Sequence, residues 1–171
     1  MKKKKPVRSK GGTAANTPAV ELERSPIHML HRAGQCAADI FQSTVGAHDL
    51  TPRQFAVLAT VGNYEGLSQT HLVEKTGIDR STLADIVRRM LKKGLLQRRR
   101  TREDARAYAV RLTDEGRRVM AEVVPLAVAV DEAVVAMLSS DDRDRLLTSL
   151  SDIVTAFKVD PPSSDKSDGG A

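Results

Sequence analysis

SQTHLVEKTGIDRSTLADIVRRMLKKGLLQRRRTREDARAYAVRLT, residues Ser68 to Thr113, decides the fold. A short helix opens it, with Ser68 as N-cap. Gly77 marks a tight turn, and a second helix begins near Asp79. After Gly94 the helical spacing stops. Leu95, Leu96 and Gln97 open one strand, and Tyr108, Val110 and Leu112 alternate with Ala109 and Arg111 in another. Helix, turn, helix and β-hairpin in this order is the pattern of a winged helix-turn-helix, in which the second helix enters a DNA major groove.

In that second helix Leu83, Ile86, Val87, Met90 and Leu91 recur at helical spacing and form the predicted buried stripe. The other side carries Arg80, Ser81, Thr82, Asp85, Arg88, Arg89 and Lys92. Asp79 suits the N-cap, because its carboxylate accepts from first-turn amides. Small polar side chains and an arginine in that turn suit base edges. For an isolated helix such a face reads more readily as merely solvated, since charged faces are common. The hairpin tip, RRRTREDAR, tilts the reading toward nucleic acid. It sets Arg98, Arg99, Arg100, Arg102 and Arg106 against Glu103 and Asp104, an excess suited to phosphate or minor-groove contact.

These motifs resemble those of the MarR family of bacterial transcription regulators. The family carries D-x-R in the wing, then a strand ending in L-T, then a glycine early in the next helix. Here stand Asp104-Ala105-Arg106, Leu112-Thr113 and Gly116, with IDRSTLADIVRRM before KKGLL. The likeness runs from about Ser25 to Phe157. It implies that Asp104 orients Arg106 and that Arg106 enters the minor groove. It also implies a homodimer made by intertwined outer helices, and a small-molecule pocket between those helices and the DNA-binding lobe.

The formal charge of the 171 residues is +5, and its placement is lopsided. Residues 1–10 hold six Lys/Arg and no acid, and residues 88–106 hold nine basic against two acidic side chains. The remainder has 12 basic against 20 acidic residues. Such a distribution is the footprint of nucleic-acid binding. No apolar run approaches the ~20 residues that span a bilayer, and the basic N-terminus lacks a signal peptide's apolar core. A cytoplasmic protein is therefore expected. One cysteine excludes an intrachain disulfide. No metal-ligand cluster, phosphate loop or nucleophile motif is present, so neither an enzyme nor a metal or other cofactor is expected.

Residues 1–23 read as a disordered basic tail, 24–158 as the folded domain, and 159–171 as a second tail. Within the domain the DNA-binding lobe is expected over about 51–112, with dimerisation helices over about 25–44 and 113–158. Ser25-Pro26 starts the first helix, whose stripe is Ile27, Leu30, Ala33, Ala37 and Ile40. Thr51 and Gln54 have capping-box spacing for the next. Thr113 caps a long helix reaching Leu138, ~39 Å at 1.5 Å per residue, which Pro125 must kink or divide. Ser139 and Asp142 cap one short final helix bearing Leu146, Leu147, Leu150, Ile153, Val154 and Phe157.

The fold expected is mainly α with a small β-hairpin wing, a winged helix-turn-helix plus a helical dimerisation region. The function expected is a homodimeric repressor that binds a pseudo-palindromic duplex operator and is released by a small effector. The DNA-contacting residues are Arg80, Ser81, Thr82, Asp85, Arg88, Arg89, Arg98, Arg100, Arg102, Asp104 and Arg106. Asp85 either accepts from a cytosine or restrains a neighbouring arginine. His28, His31, Arg32 and Gln35, with Arg53, are expected to hold an anionic aromatic acid or its coenzyme A thioester. Cys36, beside Ala37, is expected to be a buried structural thiol rather than a redox sensor. The rival functions are a redox-responsive regulator acting through Cys36 and a nonspecific architectural DNA binder.

Overall fold

The computed structural model describes residues 21–64, 66–100 and 108–159. In chain order the elements are α1 (Pro26–Val45), α2 (Pro52–Asn63), α3 (Gln69–Thr76), α4 (Arg80–Lys92), β1 (Leu96–Arg100), β2 (Tyr108–Leu112), α5 (Asp114–Val134) and α6 (Ser140–Val159). Single turns of 3-10 helix lie at Leu22–Arg24 and Gly46–His48. The chain divides at Gly34 into two units, within α1.

In the first unit, Ser25 starts α1 as its sequence predicts. Its hydroxyl accepts from the His28 amide at 3.4 Å and its carbonyl from the Met29 amide at 2.9 Å. Ile27, Met29 and Leu30 are exposed, Ile27 at 82%.

In the second unit, the core gathers around α2 and α4. Phe41 and Val45 from the end of α1, Val57, Leu58 and Val61 from α2, and Leu72 from α3 meet Leu83, Ile86, Val87 and Met90 of α4. Leu96, Val110 and Leu112 close it from the hairpin, and Met120, Val123, Ala127 and Val130 from α5. The caps follow the local sequence. Thr51 accepts from the Gln54 amide while Gln54 accepts from the Thr51 amide, a completed capping box. That bond also satisfies Gln54, the buried polar side chain of this core.

The α4–β1 connection is a Schellman turn. Gly94 takes φ +73°, its amide bonds Leu91, and the Leu95 amide bonds Met90. Antiparallel pairing then sets Leu96 opposite Leu112, Gln97 opposite Arg111, Arg98 opposite Val110 and Arg99 opposite Ala109. Thr113 locks this corner to α5. Its amide donates to Leu95 at 3.1 Å, its hydroxyl donates to the Gly94 carbonyl at 2.5 Å, and the same hydroxyl accepts from the Gly116 amide at 2.9 Å. Gly116 packs so closely beneath Leu95 that a Cβ there would overlap the Leu95 carbonyl oxygen. Packing, rather than a special backbone angle, thus explains the glycine of the wing motif.

Three expectations are corrected. Of the two outcomes expected at Pro125, a kink or a division, the division is excluded, because α5 runs continuously from Asp114 to Val134. A mid-helix proline costs about 3 kcal/mol, but Met120 and Val123 before it and Ala127 and Val130 after it bury one continuous stripe that holds both halves. The helix ends at Val134 rather than Leu138, giving a length of ~31 Å. The final helix is not short: α6 has 20 residues. Ser139 does cap it, accepting from the Asp142 amide at 3.3 Å, and Arg143 bonds Glu132 and the Leu138 carbonyl. Along α6 Leu147 and Val154 are exposed at 62% and 53%.

Cys36 is also exposed, against the buried role expected. It lies about 140° around α1 from Phe41 and about 180° from Val45, so helix geometry turns it away from the buried side.

Two glycine substitutions should separate packing from propensity. Gly116→Ala should lower unfolding free energy by about 1–3 kcal/mol through overpacking against Leu95. Gly34→Ala, where nothing lies within 4 Å of the new methyl, should raise it by up to about 1 kcal/mol through helix propensity. Urea denaturation measures both, and a Gly116→Ala midpoint equal to wild type would contradict the close approach.

Candidate nucleic-acid interface

The turn before α4 sets how that helix emerges from the core. Gly77 ends α3 at φ +67°, with its amide on the Val73 carbonyl. The Thr76 hydroxyl donates to Leu72 at 2.6 Å and accepts from the Ile78 amide at 3.3 Å. Ile78 tucks against the core, so Asp79 emerges at the start of α4. Its carboxylate accepts from the Ser81 hydroxyl at 2.6 Å and from the Thr82 amide at 2.9 Å. The Ser81 hydrogen bond first, and the Thr82 amide next, hold the Asp79 carboxyl well below the usual carboxylate range. A depressed pKa means that the cap's stabilisation is complete above the ordinary carboxylate pKa. It is lost only as strongly acid pH protonates the group.

The buried stripe Leu83, Ile86, Val87 and Met90 fixes the rotation of α4. Arg80, Ser81, Asp85, Arg88, Arg89 and Lys92 are then exposed together, and Thr82 is half-buried. Asp85 accepts from Arg88 Nη2 at 2.6 Å. In the free protein Asp85 therefore restrains Arg88. Both groups are largely solvated, so the pair adds little stability, but it holds the guanidinium along the helix face.

In the hairpin, strand alternation splits the arginine run. Arg98 shares a face with Leu96, Val110 and Leu112, while Arg99 shares the opposite face with Gln97 and Arg111. Arg98 is exposed. Arg102, Asp104 and Arg106 lie outside the described residues, as does the side chain of Arg100.

The residues expected to hold a ligand fall in both units, His28, His31 and Arg32 in the first and Gln35 and Arg53 in the second. His31 and Arg32 are exposed and His28 half-buried, one helical turn apart on the first part of α1. Arg53 instead lines an open cleft of about 410 Å³ with Pro52, Ala56, Thr76, Gly77, Ile78 and Asp79, a lining that does not include Gln35. Gln35 is exposed.

A second cleft was missed in the sequence. Gln97, Arg99, Arg111 and Arg117 surround about 420 Å³ above Val61 and Leu112. Strand alternation places Arg99 with Arg111, but nothing local announces that Arg117 of α5 joins them. Among the described residues no group of three or more His, Cys, Asp or Glu could hold a metal, and no helix is long and apolar enough to cross a membrane.

Comparison with known proteins agrees with this geometry. Residues 48–107 match the pattern of the MarR family. The transcriptional regulator HosA of Escherichia coli is 34% identical over 96 residues, covering 56% of this chain and 71% of HosA. The PcaV transcriptional regulator of Streptomyces coelicolor, crystallised with its natural ligand, superposes with a TM-score of 0.76 at 31% identity, over 82% of this chain and 99% of that one. The transcriptional repressor CouR, bound to a 23-mer DNA duplex, gives a TM-score of 0.72 at 30% identity, over 78% and 95% of the two chains. These relatives are regulators rather than enzymes. With the capped, outward-facing α4 and its hairpin wing, they establish that the chain belongs to the MarR family of winged helix-turn-helix transcription regulators.

Proposed function

We propose that this chain is a homodimeric repressor that binds a pseudo-palindromic operator in the cytoplasm and leaves it when a small anionic ligand binds. The observation that carries this reading is the exposed face of α4, held rigid by its core stripe and capped by Asp79. Arg80, Ser81, Thr82, Asp85, Arg88 and Arg89 are assigned to the major groove. Arg98, Arg100, Arg102 and Arg106, the last oriented by Asp104, are assigned to the wing. CouR, similar in fold, is bound to a DNA duplex, which supports the assignment.

Two heads are needed because helix-turn-helix proteins read half-sites about 34 Å apart. The partner surface proposed is the apolar face left uncovered on α5 and α6. Val128 is 56% exposed, and Leu147 and Val154 are similarly open. Exposed apolar side chains on two amphipathic helices support an interaction site there. Ligand release is supported by the natural ligand of PcaV. His28, His31 and Arg32 are proposed to contact an aromatic acid or its coenzyme A thioester, Arg32 by a bidentate bond to the anion.

Light scattering should give twice the chain mass at micromolar concentration, and Leu147→Glu with Val154→Glu should shift it toward one chain. A wild-type monomer with undiminished specific binding would refute the dimer.

Thr82→Ala and Arg88→Ala should each lose about 1–3 kcal/mol at one base pair and little elsewhere. Arg106→Ala should flatten the log–log salt dependence by roughly 0.9 if one phosphate contact is lost. Binding to a randomised operator library across a salt series reads both. Uniform weakening on every sequence would leave the α4 residues as backbone contacts only.

Arg32→Ala should blunt the response to an identified effector while operator affinity without effector stays near wild type. A full response in that variant would defeat the ligand assignment.

A further inference from the structure

The exposed side of α4 sorts its cations by position. Placed at about 100° per residue, Asp85 and Arg88 each lie within about 30° of the line opposite the buried stripe of Leu83, Ile86, Val87 and Met90. Arg80 and Arg89 lie on opposite flanks of that line, about 110° and 70° away. All four side chains are exposed. The stripe holds α4 to the core, so the ridge opposite it projects furthest from the protein. A helix seated in a major groove turns such a ridge toward the base edges and its flanks toward the two phosphate walls.

Pairing divides the arginines in the same way. Arg88 Nη2 donates to Asp85 Oδ1 at 2.6 Å. Among the described residues no carboxylate pairs with Arg80 or Arg89. The Asp85 and Arg88 side chains are 56% and 74% exposed, so in the free protein the pair adds little stability. In a groove it loses water, and its attraction grows. The Asp85 charge then selects what Arg88 meets. A phosphate brought to Arg88 faces a like charge, whereas guanine O6 and N7 are neutral acceptors that a guanidinium takes together. Asp85 occupies one N–H of that group and leaves the others available.

We propose that Asp85 sets the base specificity of α4: it holds Arg88 for a guanine edge and denies it a phosphate, while Arg80 and Arg89 take phosphates on the two groove walls. This rests on the reading of α4 as the helix that enters the major groove, and adds to it a base identity and a division of roles. Arg88 is the base contact. Asp85 is a positioning residue that acts through it.

The test selects duplexes from a randomised half-site library with the full chain and measures affinity across a salt series. Wild type should favour guanine at one position of each half-site by roughly ten- to hundredfold. Arg88→Ala should erase that preference. Arg88→Lys, which keeps the charge without the planar fork, should retain overall affinity and lose most of the preference. Asp85→Asn, close in shape but neutral, should cut the guanine preference by about tenfold and bind guanine-free duplexes more tightly. It should also steepen the log–log salt dependence by about 0.9, as Arg88 takes a phosphate. Arg80→Ala and Arg89→Ala should each flatten that dependence by about 0.9 and keep the guanine preference. Thermal melting of Asp85→Asn should coincide with wild type, which separates these effects from a loss of fold.

An unchanged guanine preference and salt slope in Asp85→Asn would leave Asp85 idle and overturn the proposal, with α4 still the reading helix. A change in Asp85→Asn at a base pair other than the one lost in Arg88→Ala would make Asp85 a direct reader of cytosine and overturn it too. Uniform weakening by Arg88→Ala on every duplex, or loss of a preference for another base, would have the same result. If substitutions at Arg80, Asp85, Arg88 and Arg89 all left DNA binding as in wild type, α4 would not be the reading helix, and both readings would fall.

Discussion

The corner where Thr113 meets Gly94 and Leu95 is the constraint on which the DNA-binding half depends. One hydroxyl donates to the exit of α4 and accepts from the start of α5, while the Thr113 amide bonds Leu95. Gly116 then sits against the Leu95 carbonyl with no room for a methyl. Three elements with different roles thus share a few atoms. The reading helix ends there, the wing begins and ends there, and the long outer helix starts there. A rigid corner means that motion of α5 reaches the hairpin and α4 together. This is the physical route that the proposed ligand response would use.

Electrostatics on the reading side are organised by local pairs. Asp79 is held ionised by Ser81 and Thr82, and Asp85 holds Arg88. Elsewhere Lys93 bonds both the Asp49 carboxylate and its carbonyl, strapping the end of α4 to the start of α2. The Lys93 hydrogen bond, and then its charge, hold the Asp49 carboxyl below its ordinary value. These solvated pairs add little stability individually. Their effect is to fix which cations remain directed outward.

The outer helices carry a different signature. α5 buries Met120, Val123, Ala127 and Val130 on one side yet exposes Val124 and Val128 on another. α6 exposes most of its apolar stripe. An amphipathic helix normally draws its stability from a covered face. The apolar area left open here is the physical basis for the proposed partner chain.

What the sequence by itself determined is what short-range chemistry controls. Ser68, Thr51 with Gln54, Asp79 and Thr113 all cap helices, because an N-cap needs only its own side chain and an amide two or three residues on. The stripe of α4 and the alternation of β2 follow from periods of 3.6 and 2. The outward identity of Arg80, Ser81, Asp85, Arg88 and Arg89 comes with that stripe. Tertiary structure decided the rest. Cys36 is exposed because the end of α1 turns Phe41 and Val45, not its neighbours, into the core. Pro125 is tolerated because long-range burial on both sides outweighs a local penalty. Arg99, Arg111 and Arg117 converge because the hairpin folds back onto the start of α5. Their meeting depends on how separate elements pack, which no local period in the chain encodes.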